Sequence, residues 1–142
     1  MSISNIRKAF VTEVKTTLDN LGFTGKIKWE NRDFDPSGSP EWAGFKFVAA
    51  EPFVITLGQG GDDRLTGFVQ IDLNVAQDSG DGAMDVWVDA FRQQFPAGKP
   101  LTYGDSSALV LNTGVNSGTM FDNWFRKSIT ITYRADLPRA LI

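Results

Sequence analysis

Five aspartates in two glycine-containing stretches are the residues whose type and spacing could support chemistry. Asp62 and Asp63 follow a Gly-Gln-Gly-Gly run, and Asp78, Asp81 and Asp85 surround a second turn. Carboxylate oxygens bind hard cations such as Ca²⁺, and a pair of carboxylates can hydrolyse a glycosidic bond. The second stretch lacks the spaced ligands and final Glu of an EF-hand, which favours a solvated turn that caps a helix. A small Asp-based metal- or carbohydrate-binding module is therefore kept as an alternative function.

Other kinds of reactive site are limited by two missing residue types, since the chain has no histidine and no cysteine. Disulfides, thiolate catalysis and zinc–sulfur sites are excluded, and the commonest general base is absent. The Gly58–Gly61 run lacks the Lys and Ser/Thr of a phosphate-binding loop and precedes a strand, so a hairpin turn or a flexible loop is the favoured interpretation. We predict a protein that is not an enzyme, with no catalytic residue, no metal and no cofactor.

The overall charge gives no sign of a nucleic-acid or membrane partner. The 142 residues carry a net charge of −3, and the 14 basic residues are spread along the chain without a run. A nucleic-acid-binding domain usually has a basic face, so tight DNA binding by a monomer is not expected, although a ring could gather a few charges around its lumen. No apolar stretch approaches the roughly 18 residues of a membrane span, and the first residues have no apolar signal core. We expect an aqueous, reducing or neutral compartment and no membrane partner.

Hydrophobic periodicity predicts two helices and a set of strands. Helices are expected over residues 4–21, ending at Gly22, and over about 83–95. Alternation predicts strands at 26–30, 43–57 with a break at Pro52, 64–76, 101–103, 108–111 and a final strand around 125–134. Turn-forming residues fill the loop 31–42 and the segments 58–63, 78–82 and 114–118, and 136–142 is expected to be a short tail. This order predicts a single α+β domain, residues 1–142, with two helices packed on one face of a mainly antiparallel sheet.

Three aromatic residues flank the long loop, and their role is open between packing and recognition. Trp29, Phe34 and Trp42 either pack the base of the loop onto the sheet or serve as anchors of a subunit contact. Arg126 and Lys127, beside Trp124, either face an acidic neighbour or belong to a solvated strand face. The sequence chemistry leaves both pairs of alternatives open.

Several short motifs, in this order along the chain, resemble a family of phage proteins. They are a helix, the run Trp29-Glu30-Asn31 with Phe34 and Pro36, Trp42 opening a strand, Arg64-x-x-Gly67, a helix ending at Phe95 and Gly98, and a closing alternating strand. This pattern resembles the tail terminator proteins of siphophages and is similar to the minor tail protein U of lambda-like phages. The resemblance covers nearly the whole chain.

The resemblance implies a structural function. Such proteins form a ring, usually hexameric, at the head-proximal end of the tail tube, where they stop tube polymerisation and offer a surface for head joining. The implied partners are further copies of the chain, the tail-tube protein and a head-completion or connector protein, with DNA passing through the lumen without sequence-specific binding. The implied location is the virion tail, assembled in the bacterial host cytoplasm. A head–tail connector or tail-tube-like subunit is the alternative within this class.

A candidate interface with a neighbouring subunit or with the tube follows from these motifs. The residues expected there are Trp29, Asn31, Phe34, Pro36, Trp42, Arg64, Arg126 and Lys127.

Overall fold

The computed structural model describes residues 3–30, 32–38, 40–50, 53–58, 60–76, 82–104 and 106–138. Helix α1 spans Ile3–Asn20 and helix α2 spans Gly82–Gln94, so both helices lie within a residue of their predicted bounds. Gly22 follows the end of helix α1, and its φ of 91° is the left-handed conformation that glycine adopts at low cost. Neither described helix combines the length and apolar character needed to cross a membrane.

Eight strands are formed by the described residues. They are β1 (Ile27–Lys28), β2 (Glu41–Ala49), β3 (Phe53–Val54), β4 (Asp62–Ala76), β5 (Pro100–Tyr103), β6 (Ser106–Val115), β7 (Thr119–Phe121) and β8 (Trp124–Pro138). A short 3₁₀ turn over Pro36–Gly38 lies in the loop that precedes β2.

The strands form one sheet in the order β1-β2-β4-β8-β6-β5, with β3 paired to β4 and β7 paired to β8. Strand β1 runs parallel to β2, and every other described pairing is antiparallel. Strands β4 and β8 have 15 residues each and pair along their whole length. The predicted α+β fold with a mainly antiparallel sheet is therefore confirmed.

Strand lengths differ from the prediction where turn-forming residues sit inside a ladder. Asp62 and Asp63, expected in a flexible turn, begin β4, and the final strand continues to Pro138, where a tail was expected. Strand β6 runs on to Val115, through the start of the predicted turn, and β7 was not predicted. Long pairing partners impose strand geometry on residues with low strand propensity. The expected break at Pro52, the turn residues 77–81 and the tail residues 139–142 lie outside the described residues.

The core lies between the two helices and one face of the sheet. Alternate residues of β4 and β8 point to this face, as the period of two in a strand requires. Residues of both helices with 0 % exposure, such as Phe10, Val14 and Phe91, pack against them. The buried sheet residues include Phe45, Leu65, Val69, Ile71, Leu73, Ile129, Ile131 and Tyr133.

Close packing around position 67 explains the glycine of the Arg64-x-x-Gly67 motif. A Cβ at this position would lie 2.2 Å from the carbonyl oxygen of Val48 and 2.8 Å from the hydroxyl oxygen of Tyr133. The Tyr133 hydroxyl donates a hydrogen bond to that same carbonyl at 3.3 Å. Burial raises the pKa of Tyr133, so this donor keeps its proton. Only glycine leaves room for this contact between β2, β4 and β8.

Candidate functional site

An aromatic groove opens on the sheet face opposite the helices. We use the name aromatic groove for the surface whose walls are Phe34, Trp42, Phe121, Trp124 and Arg126. Its volume is about 540 Å³. The rings of Trp42 and Trp124 meet edge to face at a centroid distance of 6.0 Å, and Phe34 lies 5.5 Å from Trp42. This volume is within the range of about 300–1,000 Å³ typical of binding pockets. The groove has room for a few apolar side chains of a partner.

Strand register brings the walls of the groove together. Trp42 on β2 is opposite Asn74 on β4, which is in turn opposite Arg126 on β8. Side chains at aligned register positions share a face of the sheet. Trp124 is two residues before Arg126 and lies on the same face, and Phe121 on β7 is aligned with Trp124. Residues far apart in sequence therefore form one continuous surface.

Arg126 is held in a fixed position at the centre of this surface. Its guanidinium carbon lies 3.8 Å from the ring centroid of Phe121 and 5.8 Å from that of Trp42. Its Nε donates a hydrogen bond to Oδ1 of Asn74 at 2.8 Å. A cation above an aromatic ring is attracted by the electrons of the ring face. The arginine thus fixes the side-chain arrangement of the groove and adds a positive charge to its wall.

A buried amide and a carboxylate support the arginine. Asn74 is 0 % exposed, and its Nδ2 donates to the carbonyl oxygens of Trp42 at 3.4 Å and Asp72 at 3.1 Å. The carboxylate of Asp72 lies 3.8 Å from the guanidinium of Arg126. Its Oδ1 accepts hydrogen bonds from Ser128 at 2.5 Å and Gln70 at 2.9 Å. Satisfied polar networks of this kind rigidify a surface, so the groove is preorganised.

The indole N–H of Trp42 is buried without an acceptor. The residue is 5 % exposed, and its Nε1 is the one buried side-chain N or O atom in the described part of the chain that has no hydrogen-bond partner. An unsatisfied buried donor costs about 1–3 kcal/mol. Groups of this kind are rare in folded proteins and call for a reason.

Trp29 and Glu30 connect the groove to the core and to the edge of the sheet. The Trp29 ring is 5.3 Å from the ring of Phe45, a core residue, and Trp29 also lines the groove. Glu30 accepts a hydrogen bond from the backbone N–H of Phe47 at 2.7 Å and pairs with Arg7 at 3.1 Å. The carboxylate thus replaces the missing strand partner at the edge of β2. Trp29 and Glu30, the first two residues of the Trp-Glu-Asn run, therefore have structural roles.

The structure does not bring all eight predicted interface residues together. Five of them line the groove: Trp29, Phe34, Pro36, Trp42 and Arg126. Arg64 lies elsewhere on the same face, near the opposite end of β4, and pairs with Asp136 at 3.0 Å. Lys127 points to the helix side of the sheet, where its Nζ lies 3.2 Å from the carboxylate of Asp85. Asn31 lies outside the described residues.

Two walls of the groove, Phe121 and Trp124, and the supporting residues Asp72 and Asn74 are absent from the predicted interface. Phe121 was missed because β7 was not predicted, and Asp72 and Asn74 were assigned only to the polar face of their strand. The detectable signal was the alternation in β4, which places Asp72 and Asn74 on the face opposite the core. What was missing was the register between β2, β4 and β8, which no local pattern contains.

The aspartates considered for chemistry have structural positions. Asp62 and Asp63 belong to β4, which follows a glycine turn with φ of 90° at Gly58 and 76° at Gly60, and Asp85 pairs with Lys127. The interpretation of the glycine run as a hairpin turn is confirmed, since β3 and β4 pair antiparallel on either side of it. Among the described residues, no three Asp or Glu side chains cluster in a way that could hold a metal ion. Asp78 and Asp81 lie outside the described part of the chain.

The chain matches known proteins in two comparisons out of three. A family model described as "Phage tail terminator protein" matches residues 5–133. One solved structure has a TM-score of 0.76 and 18 % sequence identity, covering 96 % of this chain and 97 % of its own, and this supports the fold alone. A comparison with curated protein sequences gives no match.

The family match begins within α1 and ends within β8, so it includes most of α1, all of α2 and every wall of the groove. Members of this family are structural components of the virion tail, which interact with other tail or head proteins. The chain therefore belongs to the phage tail terminator protein family.

Proposed function

We propose that this protein caps the head-proximal end of the phage tail tube as a homo-oligomeric ring, a hexamer. The ring ends tube polymerisation and provides the surface to which a head-completion or connector protein binds. The observation that carries the proposal is the family match over residues 5–133. The likeness to the lambda-type protein U stays a prediction.

The sheet face that is free of helices supports this function. It carries a preorganised aromatic groove with a fixed arginine, and aromatic residues and arginine are enriched where proteins bind each other. Capping requires complementary surfaces and no reaction, which agrees with a chain that has no histidine and no cysteine. DNA passes through the ring without sequence-specific contacts, in keeping with a net charge of −3.

The proposal is tested by adding purified protein to polymerising tail-tube protein. Electron microscopy should show shorter tubes with density at one end only, in amounts that rise with the protein added. The matched control is Val86→Asp, a change at an exposed position of α2, on the sheet face opposite the groove, which should shorten tubes as wild type does. Tubes of unchanged length with no end density would refute the capping function. Incorporation along the tube would instead support a tail-tube-like subunit, and closed rings bound only to the head vertex would support a connector.

A further inference from the structure

We propose that the aromatic groove of one copy receives the exposed apolar segment 53–57 of a second copy, in a head-to-tail contact. The inference rests on the proposed ring, since it identifies the two surfaces through which the copies would join. A head-to-tail contact uses two different patches on each subunit and closes into a ring if the rotation allows.

Residues 53–57, the apolar edge segment, form a second exposed hydrophobic patch. Phe53 is 49 % exposed, Val54 56 %, Ile55 37 % and Leu57 91 %. A cluster of large apolar side chains left in water indicates a surface that a partner covers. The segment begins with the two-residue strand β3, which pairs with β4. It continues through a bend in which the backbone N–H groups of Ile55 and Thr56 donate to the carbonyl oxygen of Asp62. These hydrogen bonds hold the exposed apolar side chains in place, which lowers the entropy cost of binding.

The two patches lie on the same long strands, at opposite ends. Val54 is aligned with Asp63 near the start of β4, whereas Trp42 is aligned with Asn74 near its end. At about 3.3 Å per residue, the patches are about 35 Å apart. One copy therefore cannot fill its own groove with its own segment while β2, β3 and β4 stay paired. A segment from a neighbouring copy can reach it, and this arrangement repeats in one direction, as a ring requires.

Charge complementarity favours a second copy as the occupant. The apolar edge segment pairs with the part of β4 that begins with Asp62 and Asp63. The rim of the groove carries Lys28 and Lys46, both exposed, and neither has an ion-pair partner among the described residues. Of the carboxylates that line the groove, Glu30 pairs with Arg7 and Asp72 with Arg126, and Asp122 is exposed. The two lysines therefore leave the rim with a net positive charge. Opposite charges beside two apolar surfaces orient their encounter and select the correct partner.

The experiment mixes two variants, each damaged in one patch. Leu57→Asp removes the most exposed residue of the segment, and Phe121→Asp alters the groove. Each variant alone should remain monomeric in light scattering, with self-association weakened about thirtyfold or more, as for the loss of an interface hot spot. An equimolar mixture should form a one-to-one dimer, because it contains one intact groove and one intact segment. Val86→Asp, the control, should assemble as wild type does.

A second groove variant covers the case in which Phe121→Asp fails to fold. Lys46→Glu changes an exposed charge on the rim and leaves the packing of the groove untouched. It should weaken assembly, and it should also form the mixed dimer with Leu57→Asp. Wild-type protein that stays monomeric at every concentration, or a folded pair of variants whose mixture stays monomeric, overturns the inference. So does normal assembly of Leu57→Asp.

The inference and the proposed function fail in different ways. If wild-type protein assembles and the mixed dimer forms, but tail tubes are not shortened, the contact stands and the capping function falls. If Leu57→Asp shortens tubes as wild type does and also assembles normally, the capping function stands and the contact falls.

Discussion

The substitution Phe34→Ala separates a role in folding from a role in assembly. Phe34 lies in the loop before β2, is half-buried, and contacts the Trp42 ring at a centroid distance of 5.5 Å. A fully buried Phe loses about 3–5 kcal/mol of stability on truncation to alanine. Phe34 is absent from the core cluster, and its main aromatic contact is one tilted pair, worth about 0.5–1.5 kcal/mol. We therefore expect the unfolding free energy to fall by about 1 kcal/mol.

The assay is equilibrium unfolding in urea, with the denaturant slope compared between wild type and variant to confirm that only stability has changed. The matched control is Phe23→Ala, at a side chain that is 0 % exposed, and here a loss of about 3–5 kcal/mol is expected. The same Phe34→Ala protein should fail to assemble at concentrations at which wild type does. A stability loss as large as that of Phe23→Ala would show that Phe34 belongs to the core, and the groove would then lose one of its walls.

Three further substitutions test other parts of the structure. Gly67→Ala should lower the unfolding free energy by about 1–3 kcal/mol, because its Cβ would lie 2.2 Å from the Val48 carbonyl oxygen, and thermal unfolding would measure this. Desolvation alone would raise the pKa of Glu13, but hydrogen bonds from Gln94 and Lys99 and the charge of Lys99 give a net lowering. A lowered pKa stabilises the folded state above the ordinary carboxyl pKa, and this stabilisation is lost as pH falls through the folded-state pKa. Glu13→Gln should therefore cost about 0.5 kcal/mol at neutral pH, after screening by water, and less in acid urea titrations. Arg126→Lys keeps the charge but loses the stacked planar group and should weaken assembly at least about tenfold by light scattering.

Most elements of this fold could be predicted from the sequence because each carries its own local pattern, with β7 as the exception. The stripe of apolar residues in α1 and the strict alternation in β4 identify both elements without knowledge of the rest of the chain. Strand ends were less accurate, as at Asp62, where pairing with β8 extends a strand into residues typical of turns. Pairing partners far away in sequence decide such ends, and a local pattern does not contain them.

The candidate site was predicted less well because it depends on which face each residue occupies. Arg126 and Lys127 were grouped as neighbours, but successive residues of a strand point to opposite faces. Arg126 therefore lies in the groove, and Lys127 crosses to Asp85 of α2 on the other side. Strand parity could have separated these two residues from the sequence alone. The contact of Trp42 with Trp124 required the register of three strands and could not have been found in this way.

One face of the sheet packs against the helices to form the core, and the other face carries the groove. Trp42 lies on the groove face, and its unpaired indole N–H lowers the stability of the free chain. The core face is apolar, and the buried amide of Asn74 on the other face is fully hydrogen-bonded to its surroundings. Against this background, one buried indole N–H in the described part of the chain lacks an acceptor, and it belongs to the groove. Violations of polar satisfaction in an otherwise consistent structure concentrate at functional sites. A phenylalanine at this position would avoid the cost of the unpaired donor, so the tryptophan is kept here at a cost to stability, as is typical of a residue that serves function.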